Sequence, residues 1–383
     1  MHGIERESDV SRLTTIDHKE QPATNVAPAN VSLLETKRLM KAKAAYTTRR
    51  VPLGEASHLI SGNVKPAPGD MVLARVDRLG QHKRVELGNG RRAPLFSGDE
   101  IVLCYAHRYA PDQFEGVVPD SLEPCHMVAA GGIAARAVSK HAGKKAATRI
   151  TPLGLLGDAL GRPVNLADHA LEPVCPASAL PMTIAAVGTS MNAGKTTTAA
   201  YLIRGLVNAG LTVGAAKLTG TGSGCDTWLM HDAGADLVLD FTDAGYASTH
   251  RVQLKELEGI VTTLTAHLQR AGVDAIVLEV ADGLFQKETA ALMCSPVFRQ
   301  FANGIIFAAG DAMGAATGVN WLYDHDLPVV AVSGRLTAAP LVVREAQGAT
   351  GLPVMVLEEL SDPGIADTLR EQLESRLRSR QAG

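Results

Sequence analysis

The strongest chemical signal in the chain is the run Gly188–Thr197, GTSMNAGKTT. Small residues closed by Gly-Lys-Thr allow several backbone N–H groups to turn inward around a phosphate. Residues 190–195 supply those donors. Lys195 is expected to reach the β- and γ-phosphates, and the Thr196 hydroxyl to ligate Mg²⁺. Thr189, Ser190, Met191, Asn192, Ala193, Gly194, Lys195, Thr196 and Thr197 are therefore the expected nucleotide-binding residues. The pattern is specific because TIAAVG reads as a strand before it and KTTTAAYLIRGLVNAG as a helix after it.

Other residues fall where they could join this chemistry. VDAIVLEVADG (Val273–Gly283) is an apolar strand ending in an acid. Glu279 is expected near Mg²⁺, with Asp282 in reserve. Lys217 emerges from the apolar strand LTVGAAKL, where an unpaired ammonium is costly, so a catalytic or substrate role follows. The next run, Thr219, Gly220, Thr221, Gly222, Ser223 and Gly224, can direct N–H groups at an anion. Asp226 is a second candidate metal ligand. Asp240, Asp243 and His250 follow another strand and are candidates for substrate binding or proton transfer. Lys195, Lys217 and Glu279 form the expected catalytic set.

Stepping outward, residues 182–383 alternate apolar strands with helices. The strands are TIAAVG, LTVGAAKL, LVLDF, VDAIVLEVA, GIIFAAG, PVVAVSG and PVMVL, with a last amphipathic helix over 361–379. Near-continuous apolar strands mean a parallel sheet covered by helices on both faces. Its ligands bind at the carboxyl ends of the strands. The fold class is thus α/β, a P-loop NTPase-like sheet preceded by a small β-rich N-terminal domain.

Before residue 182 the pattern is less regular. Residues 1–30 read as a disordered tail. Residues 32–50 read as a basic helix capped by Ser32 and Glu35, with Arg49 and Arg50 near its end; it reads first as a solvated face, and alternatively as a contact for a phosphate or an acidic partner subunit. Met71–Val76, Arg84–Leu87, Arg91–Phe96 and Ile101–Ala106 read as short strands, the middle two joined by an Asn-Gly hairpin. They imply a small antiparallel sheet or partial barrel, so residues 31–126 form one unit. Arg108, Tyr109, Asp112 and Gln113 follow the last of these strands, where ligand loops often lie. Residues 127–150 read as a strand, a Gly131-Gly132 turn and a helix from Ile133, and residues 151–181 as a connector. The span 127–181 is a small αβ segment on this reading.

Composition removes several classes. A net charge of −3 gives no global basic field for nucleic acid, and 4% aromatic residues give no stacking platform. No apolar run reaches the ~18 residues of a membrane span. The charged start MHGIERESDVSR lacks a signal-peptide core, so the expected location is the cytoplasm. The five cysteines are scattered without metal-ligand or disulfide spacing and are expected in the core, Cys225 in its Gly-rich loop being the exception.

Residues 182–357 resemble a bacterial P-loop family that includes D-glutamate N-acetyltransferase. GTSMNAGKTT, KLTGTGSG, LEVADG and the Val332–Ala346 segment carry the resemblance. More distantly they resemble dethiobiotin synthetase and the MobB-type proteins. The loop begins Gly-Thr and ends Gly-Lys-Thr as in dethiobiotin synthetase, and Ser190 stands where dimer-forming ATPases carry a trans-acting lysine. The dethiobiotin synthetase resemblance implies that Lys217 faces substrate and the transferring phosphate. It also makes a homo-oligomer an expectation. ATP with Mg²⁺ is the expected cofactor, GTP an alternative, since no guanine-reading Asn/Thr-Lys-x-Asp motif occurs; VSGRLTAAP (Val332–Pro340) is expected at the base or ribose. The leading function is a kinase- or ligase-like enzyme acting on a small carboxylate or amine. The alternatives are an N-acyltransferase holding coenzyme A diphosphate in the P-loop, and a nucleotide-switched accessory protein.

Overall fold

A computed structural model describes residues 29–177 and 180–382, with the side chains of 376–382 excepted. Most of the tail expected over 1–30 lies outside the described residues. The N-terminal strands are β1 (Asn30–Leu33), β2 (Lys43–Ala44), β3 (His58–Ser61), β4 (Met71–Arg78), β5 (Arg84–Glu86), β6 (Arg92–Pro94), β7 (Glu100–Tyr105), β8 (Phe114–Val117), β9 (Cys125–Ala129), β10 (Ile133–Lys140) and β11 (Thr148–Gly157). A short helix, α1 (Thr36–Lys41), follows β1.

Five of these strands close on themselves. β11 pairs with β4, β4 with β7, β7 with β10, β10 with β9, and β9 back with β11. The closure makes a five-stranded barrel, from which β3 and β1 extend beyond β11 and β8 beyond β10. Ile101, Leu103, Tyr105, Met127, Ala134 and Ile150 fill one of its cores and are fully buried.

Two expectations fail here. Residues 133–140 are a strand, not a helix, and 148–157 form the longest strand in the domain rather than a connector. The Ala-rich run IAARAVSK suits either state locally. Pairing with β7, β8 and β9 decides for the strand. The basic helix expected over 32–50 is also broken up. Ser32 lies in β1, the helix spans only Thr36–Lys41, and Tyr46–Thr48 is a 3₁₀ turn.

From Met182 the strands are β12 (Met182–Gly188), β13 (Val213–Lys217), β14 (Leu237–Asp240), β15 (Ala275–Glu279), β16 (Gly304–Ala308) and β17 (Val329–Ser333). All pair in parallel, in the order β14-β13-β15-β12-β16-β17. The helices are α2 (Lys195–Asn208), α3 (Gly224–Asp232), α4 (Leu254–Arg270), α5 (Lys287–Cys294), α6 (Pro296–Phe301), α7 (Ala312–Asp324), α8 (Pro340–Thr350), α9 (Leu357–Ser361) and α10 (Ile365–Ala382).

Strand alternation splits the core into two layers. Ala185, Val187, Ile276, Leu278 and Phe307 pack with α4–α8, while Ile184, Ala186, Val277 and Ile306 pack with α2, α3, α9 and α10. Helices thus cover both faces, which explains why both sets of strand positions are apolar. PVMVL does not become a seventh strand. It makes a single parallel bridge, Val332 with Val354, before α9 begins. Among the described residues no helix is long and apolar enough to cross a membrane. Cys104 and Cys125 are buried as expected, but Cys175, Cys225 and Cys294 are exposed.

Candidate functional site

The sheet turns its carboxyl edge toward the barrel, and a cavity of about 960 Å³ opens between them. β12 delivers the chain into the loop 189–194, and α2 starts at Lys195. Gly194 has φ 105°, and a Cβ there would lie 2.9 Å from the Cα of Gly334. Gly334 itself has φ 98°, and Arg335 N–H donates to Ala193 C=O at 2.9 Å. The loop is thus shaped by the segment after β17 as well as by its own glycine. Asn192 also adopts a left-handed conformation, φ 66°.

Lys195 is 6% exposed, and its Nζ donates to Ser190 C=O at 2.8 Å. Burial lowers its pKa, and Glu279 and Asp282 oppose the shift. Thr196 Oγ1 donates to Glu279 Oε1 at 2.6 Å. Glu279 ends β15, is 2% exposed, and keeps its Oε2 buried without a partner among the described residues. Burial and the Asp226 charge raise its pKa, while Lys217 and Lys195 hold it down.

Lys217 and Glu279 are direct register partners on β13 and β15. Lys217 is buried and forms an ion pair with Asp226, which lies in the first turn of α3. Burial works against its charge, but Asp226 and Glu279 outweigh that and raise its pKa. Asp282 has φ 65° and a pKa raised by burial. A non-glycine residue held there costs about 1 kcal/mol or more and tends to mark functional loops.

The other sequence candidates separate. Met191, Asn192, Gly194, Lys195, Thr196, Thr197, Lys217, Gly220, Thr221, Asp226, Glu279 and Asp282 line the cavity. Thr189, Ser190 and Ala193 are loop backbone: Thr189 N–H bonds Ala308 C=O at 3.0 Å, and Ala193 N–H bonds Ser190 C=O at 3.2 Å. Thr219 Oγ1 bonds Ala281 C=O at 3.3 Å. Gly222 donates to Ala247 C=O at 2.9 Å and packs on the barrel turn, where a Cβ at Gly131 would meet Gly222 O at 1.9 Å. The Gly131-Gly132 pair therefore opens no helix and serves a close inter-domain approach.

Asp243 stands away from the cavity lining. Its carboxylate pairs with Arg49 at 2.7 Å and Arg50 at 3.3 Å. Asp240 pairs with Arg49 at 3.0 Å and accepts from Tyr46 Oη at 2.8 Å. The basic segment is therefore not a solvated face at its end: Arg49 and Arg50 are paired with acids of the chain's own second domain, not with a partner subunit. His250 also lies off the lining, its ring 5.7 Å from that of Tyr109 and its Nδ1 3.5 Å from Glu288. Burial lowers its pKa.

The barrel contributes residues that no local motif announced: His82, Lys83, Arg84 and Arg92. Arg108, Tyr109, Asp112 and Gln113, singled out by their ligand-loop position after β7, join them. Asn192 Nδ2 reaches Asp112 Oδ2 at 3.3 Å, so the P-loop and the barrel meet directly. Arg335, within the segment expected at the base or ribose, also lines the cavity.

The family model for MobB, molybdopterin guanine dinucleotide synthesis protein B, matches residues 183–290, the stretch that holds the P-loop, Lys217 and Glu279. No curated protein matches the chain. Similar solved structures include the signal recognition particle 54 kDa protein from Aeropyrum pernix in complex with GDP, at 19% identity and a TM-score of 0.34 over 56% of this chain and 54% of that one. A DUF1611 family protein from Anabaena variabilis is similar at 15% identity, TM-score 0.36, over 54% of this chain and 61% of that one. A ParA family ATPase from Chlorobium tepidum is similar at 10% identity, TM-score 0.31, over 51% of this chain and 96% of that one. This chain thus spans about half the length of the signal recognition particle protein. The domain from Met182 onward is a P-loop, NTPase-like nucleotide-binding domain.

Proposed function

We propose that the protein is a Mg·ATP-dependent enzyme of kinase or ligase type acting on a small carboxylate or amine. The observation that carries this reading is Lys217. It is buried at the carboxyl end of β13, beside Glu279, and faces the same cavity as Lys195. A protein that only held a nucleotide would not need a second buried lysine at that place.

The donor set fits a divalent cation. Thr196 Oγ1 and Glu279 adjoin, and the unpartnered Glu279 Oε2 is a buried acceptor with no proton donor. Thr196 and Glu279 would hold Mg²⁺, which would supply charge to offset that developing on the phosphates. The loop N–H groups and the α2 N-terminus hold the phosphates in place. Lys195 bridges toward the terminal phosphates, and Lys217 stabilises charge on the group in transfer. Asp226 orients Lys217. The cavity's size, near the top of the ~300–1,000 Å³ range of small-molecule sites, suits a nucleotide with a small acceptor.

The test is ADP release measured across a panel of small carboxylates and amines. Release that rises with one acceptor supports the reading. Acetyl-coenzyme A consumed without nucleotide turnover supports the acyltransferase instead. Slow hydrolysis insensitive to every acceptor, with a nucleotide-dependent protein complex, supports the accessory protein.

A further inference from the structure

On the barrel side of the cavity, one arginine is buried with donors to spare. Arg108 follows β7 and is 6% exposed. Its backbone is clamped to Gly116 by two hydrogen bonds of 2.9 Å. Its Nη2 donates to Gln113 Oε1 at 3.1 Å, while its Nε and Nη1 are buried and have no acceptor among the described residues. Asp112 and Asp282 are close enough to favour its charge, but neither is hydrogen-bonded to it: Asp112 Oδ2 accepts from Asn192, and Asp112 Oδ1 is buried without a partner among the described residues.

A guanidinium keeps its charge in a protein, so leaving its N–H groups buried and empty is costly. Burial lowers the Arg108 pKa only to about 10, which leaves it charged at neutral pH. The side chain is nonetheless well oriented. Gln113 Oε1 also lies 3.0 Å from His82 Nε2. Arginine can only donate, so that Gln113 atom is the carbonyl oxygen and His82 Nε2 carries a hydrogen. The His82 ring in turn packs on Phe114 at 5.6 Å. The barrel side of the same cavity also carries Lys83, Arg84 and Arg92, with Arg92 in contact with Cys225 Sγ. None of these cations belongs to the nucleotide loop.

We propose that Arg108 is the oxyanion clamp for the acceptor. The acceptor carries a carboxylate or phosphate gripped by the barrel domain, and its reacting end faces the P-loop. The proposal rests on the reading that the cavity holds a nucleotide and an acceptor together. It deepens that reading by requiring an anionic acceptor and by making Arg108 the residue that sets specificity. The planar fork matches such groups better than an ammonium would.

The test is calorimetric titration of inorganic phosphate and of citrate, separately, into the full chain saturated with Mg·ADP. The wild type is expected to bind an anion at one site. Arg108→Gln is expected to weaken it at least tenfold, with ADP affinity within twofold of wild type, which also reports an intact fold. Arg108→Lys, which keeps the charge and loses the fork, is expected to lie between them and serves if the glutamine variant does not fold. Preference between phosphate and citrate tells which oxyanion the clamp suits. Anion binding unchanged in both variants overturns the proposal. So does a tenfold loss of ADP affinity in Arg108→Lys, which would assign the arginine to the nucleotide's own phosphates. If the chain binds no nucleotide, the proposed function fails alone: the same titrations of the nucleotide-free chain, wild type against Arg108→Gln, still decide whether Arg108 holds an anion.

Discussion

Thr196 and Glu279, 83 residues apart in the chain, are joined by a 2.6 Å hydrogen bond from hydroxyl to carboxylate. Two motifs that are separate in sequence meet at one corner of the cavity, the proposed Mg²⁺ site, because β12 and β15 are neighbours in the sheet.

That corner is tested by Glu279→Gln, which keeps the shape and removes the charge. Mg²⁺-dependent nucleotide turnover is expected to fall by about 100-fold. Nucleotide affinity measured with excess chelator should change little. Equal loss with and without Mg²⁺ would show that Glu279 shapes the pocket and does not serve the cation.

Gly334→Ala tests the neighbour that shapes the loop. With φ 98° and a Cβ placed 2.5 Å from Ala193 O, the substitution must move backbone. Strain of about 1–3 kcal/mol is expected, and nucleotide affinity should drop roughly tenfold. Calorimetry with ADP measures it; wild-type affinity would mean that the loop does not depend on this contact.

Arg49 ties the two domains through Asp240 and Asp243, whose side chains are 1% and 9% exposed. Arg49→Met leaves both carboxylates buried without their main counter-charge. A loss of about 3–5 kcal/mol is expected in urea unfolding. Adding Asp240→Asn should recover part of it, and a double variant no more stable than the single one would remove the ion pair from the account.

His82 predicts a pH effect. Burial, then the Arg108 charge, lower its pKa to about 4. The unfolded value is about 6.5, so the unfolded chain binds more protons between the two. The stability is complete above pH ~6.5 and is lost as pH falls toward 4, on the order of 3 kcal/mol in full. Urea midpoints across that window should fall more steeply for the wild type than for His82→Gln; parallel slopes would contradict the assignment.

How much of this was legible follows the range of each interaction. The P-loop, Lys217 and Glu279 could be read from residues within one strand–turn–helix or one strand end, because a parallel sheet places every strand's carboxyl end on one edge. Residues 133–140 could not, because IAARAVSK fits a helix or a strand until β7, β8 and β9 take up its backbone groups. Asp243 looked like a substrate ligand because it follows a strand, yet Arg49 and Arg50, nearly 200 positions earlier, occupy it.

By itself, then, the sequence determined the nucleotide loop and the alternating sheet, both set by local backbone geometry and apolar periodicity. Only the tertiary structure decided what the loop faces. The barrel closes through pairings among strands distant in sequence, its basic turn docks on Asp240 and Asp243, and the segment after β7 meets the P-loop where Asp112 accepts from Asn192. Charge pairing and packing across such separations leave no periodic trace in the chain, so they become visible only when the two domains meet.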